Sequence, residues 1–156
     1  MSTADTGGEF LEAINVLAPG FMGPPLHVHP QAEESYQVVA GTLDVCVGGE
    51  WRQLKPGESA TVPAGTAHTL RNISAAEVRL LNVHKPALAF ERFFRRFHAV
   101  VCSGQLKLPP KDLRSLVLVS MLFLDHQREI MSVKPPHYVM RVLAFLGRLI
   151  GYKLPM

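Results

Sequence analysis

Three histidines and a glutamate carry the strongest chemical signal in this chain. His27-Val28-His29 puts two imidazoles at i and i+2, which on a strand point to one face. Gly23-Pro24-Pro25 before them and Pro30 after them fix the direction of the chain. Glu34 follows after four intervening residues, enough to turn and return a carboxylate to the same place. His68 stands behind a tight turn, Pro63-Ala64-Gly65, and adds a third imidazole. Three neutral imidazole nitrogens and a carboxylate suit one divalent transition metal, drawn from Fe, Mn, Ni, Cu, Co or Zn. An octahedral ion so held keeps open positions for water, dioxygen or a chelating substrate.

These side chains need strands and turns to position them. From Glu34 a strand runs to Ala40 and ends at Gly41, and its period of two puts Tyr36 and Val38 on the face of Glu34. Glu33 is a competing ligand, but strand parity sends it outward. Tyr36 is a candidate proton donor, and Tyr36, Val38 and Leu70 are the expected substrate contacts. Asn82 and His84 share a strand face. Leu81 and Val83 are the better core residues, so Asn82 and His84 are expected to face outward. Asn72 is expected to brace a turn, and Cys46 is read as an unreactive thiol.

The segments around these residues are short and evenly punctuated. Leu43–Val47, Trp51–Leu54, Ser59–Val62, His68–Ile73 and Val78–Val83 read as strands, broken by Gly48-Gly49, Pro56-Gly57 and Pro63-Ala64-Gly65. That texture predicts a sandwich, jelly roll or small barrel. After residue 88 the period turns helical. Phe90, Phe93, Phe94 and Phe97 form one stripe, with Glu91, Arg92, Arg95 and Arg96 on the other face and Gly104 at the end. The stripe is expected to pack on the barrel or a partner subunit rather than to wall a ligand. A second helix is predicted from Lys111-Asp112 to about Met131. A third follows Pro135-Pro136, with Val139, Val142, Leu143, Leu146 and Ile150 as its buried stripe and Gly151 closing it. His98, His126 and His137 fall in this part and receive no metal role.

The spacings together resemble the two sequence motifs of the cupin superfamily. The second, G-x5-PxG-x2-H-x3-N, fits at every fixed position from Gly57 to Asn72. The first, G-x5-HxH-x3,4-E-x6-G, fits from His27 to Gly41, with Phe21 where its leading glycine would fall. The resemblance covers about residues 10–88. It implies a double-stranded β-helix, or jelly-roll barrel, with one metal bound by His27, His29, Glu34 and His68. By the same resemblance Glu34 could double as a catalytic base beside Tyr36. The tail, from Pro86-Ala87-Leu88-Ala89-Phe90 to Leu149-Ile150-Gly151-Tyr152, is similar to small bacterial cupins with a helical C-terminal extension, a group largely without assigned activity.

Composition bounds the rest. The chain has 156 residues, 47% of them hydrophobic and 19% charged, which excludes wholesale disorder. Residues 1–97 hold 8 Lys/Arg against 10 Asp/Glu and residues 98–156 hold 8 against 3, so the net +3 is concentrated in the tail. No nucleophile elbow, phosphate loop, zinc-finger spacing or recognition helix is present, so little in the sequence points to a hydrolase, a kinase or a DNA binder. The polar start Met1–Phe10 and two distant cysteines point to a cytoplasmic setting with free thiols. The expected organisation is a barrel domain over residues 1–88 and a helical extension over 89–156, assembled as a homodimer. The expected function is a dioxygenase-like metalloenzyme acting on a small molecule. The alternative is a binding or sensing module whose basic tail recruits a partner or a membrane surface.

Overall fold

The computed structural model describes residues 1–155, so Met156, at the end of the expected extension, lies outside the described residues. The strands are β1 (Leu11–Leu17), β2 (His27–Val28), β3 (Glu33–Ala40), β4 (Leu43–Val47), β5 (Glu50–Leu54), β6 (Ser59–Val62), β7 (His68–Arg71) and β8 (Val78–Lys85). Then come α1 (Phe90–Cys102), α2 (Leu113–Asp125), the short β9 (Met131–Ser132) and α3 (His137–Leu149). Two antiparallel sheets face each other, one ordered β1-β8-β3-β6 and the other β5-β4-β7-β2-β9. Their inner faces bury Tyr36, Val38, Leu43, Val45, Val62 and Leu80. This is a double-stranded β-helix followed by three helices, as the strand texture and helical periods predict.

Alternation does the sorting. In β3 even-numbered Glu34, Tyr36 and Val38 are buried while Glu33, Gln37 and Val39 are exposed. Glycines set two close approaches. Gly41 has φ +82°, and a Cβ there would come within 2.6 Å of the Glu77 carbonyl oxygen, so the turn after β3 accepts no larger residue. Gly23 has φ +74° and lies against the Leu70 carbonyl, which brings the segment leading to His27 down onto β7.

The helical region departs from expectation in four places. The second helix stops at Asp125 instead of about Met131. Residues 131–132 become β9 and pair with β2, where His27 lies opposite Ser132. The edge of β2 would otherwise present unpaired backbone groups beside the histidines, and β9 covers it. Only part of the expected stripe on α3 is covered: Val139 and Leu143 are half-buried, while Val142, Leu146 and Ile150 are 57%, 47% and 67% exposed. Met140, Ala144 and Gly147 face inward instead. Small residues choose that face, since a Cβ on Gly147 would collide with Val117 Cγ1 of α2. Arg96 is buried rather than outward, donating to Asp125 Oδ2 at 3.0 Å and to the Pro155 carbonyl at 2.9 Å. α2 is apolar almost all round and is the core of the helical layer. It starts at Asp112, whose carboxylate accepts the Ser115 N–H at 2.8 Å. Among the described residues no helix is long and apolar enough to cross a membrane.

Candidate metal centre

His27, His29, Glu34 and His68 meet between the two sheets. One ligand atom from each lies within 4.8 Å of the others, and all four residues are buried. The backbone register explains the meeting. β2 and β7 run antiparallel with His27 opposite His68, so their rings stand side by side at 4.2 Å between centroids. Beyond the end of β2, the His29 carbonyl accepts the Gly65 N–H at 2.8 Å, which locks the turn before His68 to the first histidine pair. Glu34 enters from β3, across the barrel. Glu33 is exposed and takes no part.

Each of the three rings has one nitrogen committed to a backbone carbonyl. His27 Nδ1 donates to Pro25 at 2.8 Å, His68 Nδ1 to Thr66 at 2.8 Å, and His29 Nδ1 to Glu129 at 2.6 Å. A carbonyl oxygen only accepts, so Nδ1 carries the proton and Nε2 of a neutral ring offers a lone pair. His29 Nε2 and His68 Nε2 stand 3.0 and 2.9 Å from Glu34 Oε2. Lone pairs facing a carboxylate oxygen are favourable only around a shared cation, a proton or a metal ion. Metal bonds of about 2.1 Å set neighbouring ligands on an octahedron about 3 Å apart. The donor set fits one divalent ion.

A polar ladder behind the ligands holds Glu34. The Tyr36 hydroxyl donates to Oε2 at 2.5 Å, and the Asn82 amide donates to Oε1 at 2.8 Å. His84 Nε2 lies 3.1 Å from Oε1 without an aligned hydrogen bond, and its Nδ1 has no partner. Burial alone would push the Glu34 carboxyl up. His84 beside it and the His29 and His68 nitrogens against it outweigh burial, holding it well below the usual carboxylate range. Burial, reinforced by the Glu34 charge, raises Tyr36 well above an ordinary phenol, so it stays protonated. Burial also lowers His27 well below the usual imidazole value, with His68 and His29 adding to the effect. Burial lowers His84 too, opposed by Glu34.

Several of these placements differ from the sequence reading. Asn82 and His84 face inward at 1% exposure each. β8 pairs with β3 so that His84 opposes Glu34 and Asn82 opposes Tyr36. The signal was available: Val78 and Leu80 share their parity, and both are fully buried. Val38, an expected substrate contact, sits in the sheet core at 1% exposure and does not line the cavity over the site, whereas Tyr36 and Leu70 do. Glu129 had no sequence signal, because its contribution to His29 is a backbone carbonyl. Asn72 braces a turn as expected. Its amide nitrogen lies within 3.0 Å of the Leu17, Ala18 and Ala76 carbonyls. Both cysteines are free, Cys46 buried and Cys102 exposed.

The phenylalanine stripe does more than pack. Phe90 lies over His84 and His29, with centroids at 4.0 and 4.9 Å. Phe93, Phe94 and Phe97 wall a cavity of about 630 Å³ that reaches down to His27, His29 and Glu34.

Fold and centre together define a double-stranded β-helix protein with a convergent histidine–carboxylate site between its sheets. The cupin domain model matches residues 13–84, so this part of the chain is a cupin domain. Over 73 residues it is 37% identical to quercetin 2,3-dioxygenase of Bacillus subtilis (strain 168), a match covering 46% of this chain and 21% of that protein. Over 71 residues it is 32% identical to polyketide synthase CurC of Streptomyces cyaneus, covering 40% of this chain and 46% of that protein. The chain thus spans less than half the length of these relatives. Among solved structures, a predicted oxalate decarboxylase from Thermotoga maritima superposes with TM-score 0.52 at 23% identity, over 55% of this chain and 75% of that one. That likeness concerns the fold.

Proposed function

We propose that the protein is a metal-dependent enzyme of dioxygenase or oxidoreductase type acting on a small molecule, with one divalent transition metal held by His27, His29, Glu34 and His68. The observation that carries this reading is the shared tautomer: three Nε2 lone pairs and Glu34 Oε2 are turned inward together by protein hydrogen bonds. Such a metal supplies Lewis-acid polarisation or electron transfer to a substrate chelated through oxygen or sulfur. The surrounding residues handle position and protons. Asn82 holds Glu34 Oε1, and Tyr36 keeps its proton directed at Oε2. Glu34 and Tyr36 are the proposed acid–base pair, and Tyr36 and Leu70 the proposed substrate contacts on the cavity wall. The division at residue 88 into barrel and helical extension is proposed with it.

The test is reconstitution. Purified protein is stripped of metal and loaded separately with Fe, Mn, Ni, Co, Cu and Zn. Elemental analysis should find one ion per chain, absent from His68→Ala. Oxygen uptake is then screened over enols, diketones, thiols and phenols. Stoichiometric metal with no uptake on any of them removes the oxidase half of the reading, and no metal removes all of it.

One observation favours a second reading, a ligand-binding module that docks on an anionic lipid surface. α3 exposes Tyr138, Val142, Phe145 and Leu149 as a continuous apolar stripe at 70%, 57%, 60% and 67%. Arg141 and Arg148 border it, and the helix carries no acidic residue. Co-sedimentation with phosphatidylserine vesicles, lost in Phe145→Glu, supports this docking. A sedimenting homodimer disrupted by the same change assigns the face to a second copy of the chain instead.

A further inference from the structure

The cavity above the centre has a one-sided chemistry. Its floor is polar, and most of those groups already hold one another: Tyr36 and Asn82 donate to Glu34 and His27 and His29 are tied to backbone, while His84 Nδ1 has no partner. Its walls are mostly apolar on both sides, with Asn15, Glu91 and His98 as the polar residues along them besides Arg95. The barrel contributes Leu17, Phe21 and Leu70, and the helical layer contributes Phe94, Phe97 and Val101. The one arginine along the lining is Arg95. It lies at the rim, its side chain is 78% exposed, and it is paired with Glu91 at 2.8 Å. No lysine lines the cavity. A carboxylate, phosphate or sugar hydroxyl lying along these walls would leave water and meet few partners, which is costly. An apolar body would shed its hydration there favourably.

We propose that this site takes a molecule with an uncharged aromatic or branched aliphatic body and a single oxygen-donor head, and that Phe94 and Phe97 of α1 are its specificity-determining wall. The head reaches the floor and the body lies between barrel and helix. Dianions such as oxalate and phosphorylated sugars are disfavoured because the arginine of the lining, Arg95, sits exposed at the rim and is already paired with Glu91. The proposal rests on the reading of the floor as a metal centre only for the placement of the head. The apolar wall exists without any ion.

The experiment uses N-phenyl-1-naphthylamine, a neutral probe that fluoresces in apolar surroundings, with the full chain in metal-free and zinc-loaded forms. The probe should bind both forms. Phe97→Asp should weaken it about tenfold or more, because a carboxylate then stands in the apolar wall. Phe97→Leu should stay near wild type, and zinc content should be unchanged in both variants. Should Phe97→Asp not fold, Phe94→Ala with a far-ultraviolet circular dichroism control takes its place and should also weaken the probe. In the wild-type protein 2-naphthol should displace the probe, while oxalate and glucose 6-phosphate at equal concentration should not. Unaltered probe binding in folded Phe97→Asp or Phe94→Ala, or displacement by oxalate as effective as by 2-naphthol, overturns the proposal. Probe binding without zinc uptake overturns the metal reading and leaves this one standing.

Discussion

Two of the three histidines are oriented by their own neighbours, and the third by the far end of the chain. His27 and His68 each donate to a carbonyl two residues upstream, Pro25 and Thr66. His29 donates to Glu129, 100 residues away. The barrel therefore builds most of the centre from local turns, while the helical region completes it. The same region lays Phe90 over the rings and adds β9 beside β2. The tail is an outer shell of the site as well as a covering layer.

The largest effect is expected where both regions converge, at Glu34. Glu34→Ala leaves the Tyr36 hydroxyl buried without its acceptor and the Asn82 amide with only the Ser35 carbonyl at 3.3 Å. At about 1–3 kcal/mol for each unsatisfied group, the loss should be several kcal/mol. Urea unfolding of metal-free protein measures it. Glu34→Ala should also abolish stoichiometric zinc uptake. A variant as stable as wild type that still takes up zinc would mean that the carboxylate organises nothing.

The same core predicts how stability depends on pH. His27 and His84 are kept neutral in the folded protein, below the ordinary imidazole value. In the unfolded chain they take up protons once the pH falls under about 6.5. The unfolded state then binds more protons, so the stability these residues contribute is present above that pH and lost as it falls. Glu34, depressed below its ordinary range, adds a loss of the same sign at more acidic pH. Thermal melting of chelator-treated protein should therefore be level above about pH 7 and fall steadily toward pH 4. A midpoint unchanged from pH 7 to pH 5 would mean that the buried histidines are not held neutral.

A smaller effect tests the long tether. The Glu129 side chain accepts the Ala89 N–H at 3.2 Å and lies 3.5 Å from His126 Nδ1, which anchors the loop whose carbonyl orients His29. Glu129→Ala should loosen that carbonyl and weaken zinc binding about tenfold, the low end of what losing a ligand's outer partner costs. Competition with a chromophoric chelator reads it. Equal affinity would assign orientation of His29 to the barrel alone.

These contrasts explain what could be read in advance. The four converging residues were legible because each depends on local rules: strand parity for His27, His29 and Glu34, and a glycine turn before His68. The inward ladder of Asn82 and His84 depended on the register of β8 against β3, segments distant in sequence, which sets His84 opposite Glu34 and Asn82 opposite Tyr36. Glu129 acts through its backbone, which every residue type shares. Helical periods located α1 and α3, but period alone could not choose between two apolar faces of α3. Gly147 and Ala144, small enough for α2 to approach closely, chose the face.

That last choice yields the smallest expected effect and the sharpest disagreement between period and packing. If the stripe through Val142 were buried, Val142→Ser would open a cavity and strand a hydroxyl, at a cost of about 1–3 kcal/mol. Val142 is 57% exposed, so the change should fall within about 0.5 kcal/mol of wild type. Ala144→Ser on the opposite face, fully buried against α2, should cost more, since its hydroxyl has to be accommodated among Val117 and Met121. Chemical unfolding of the two serine variants side by side decides which face of α3 the protein buries, and equal losses would mean that both faces are covered in solution.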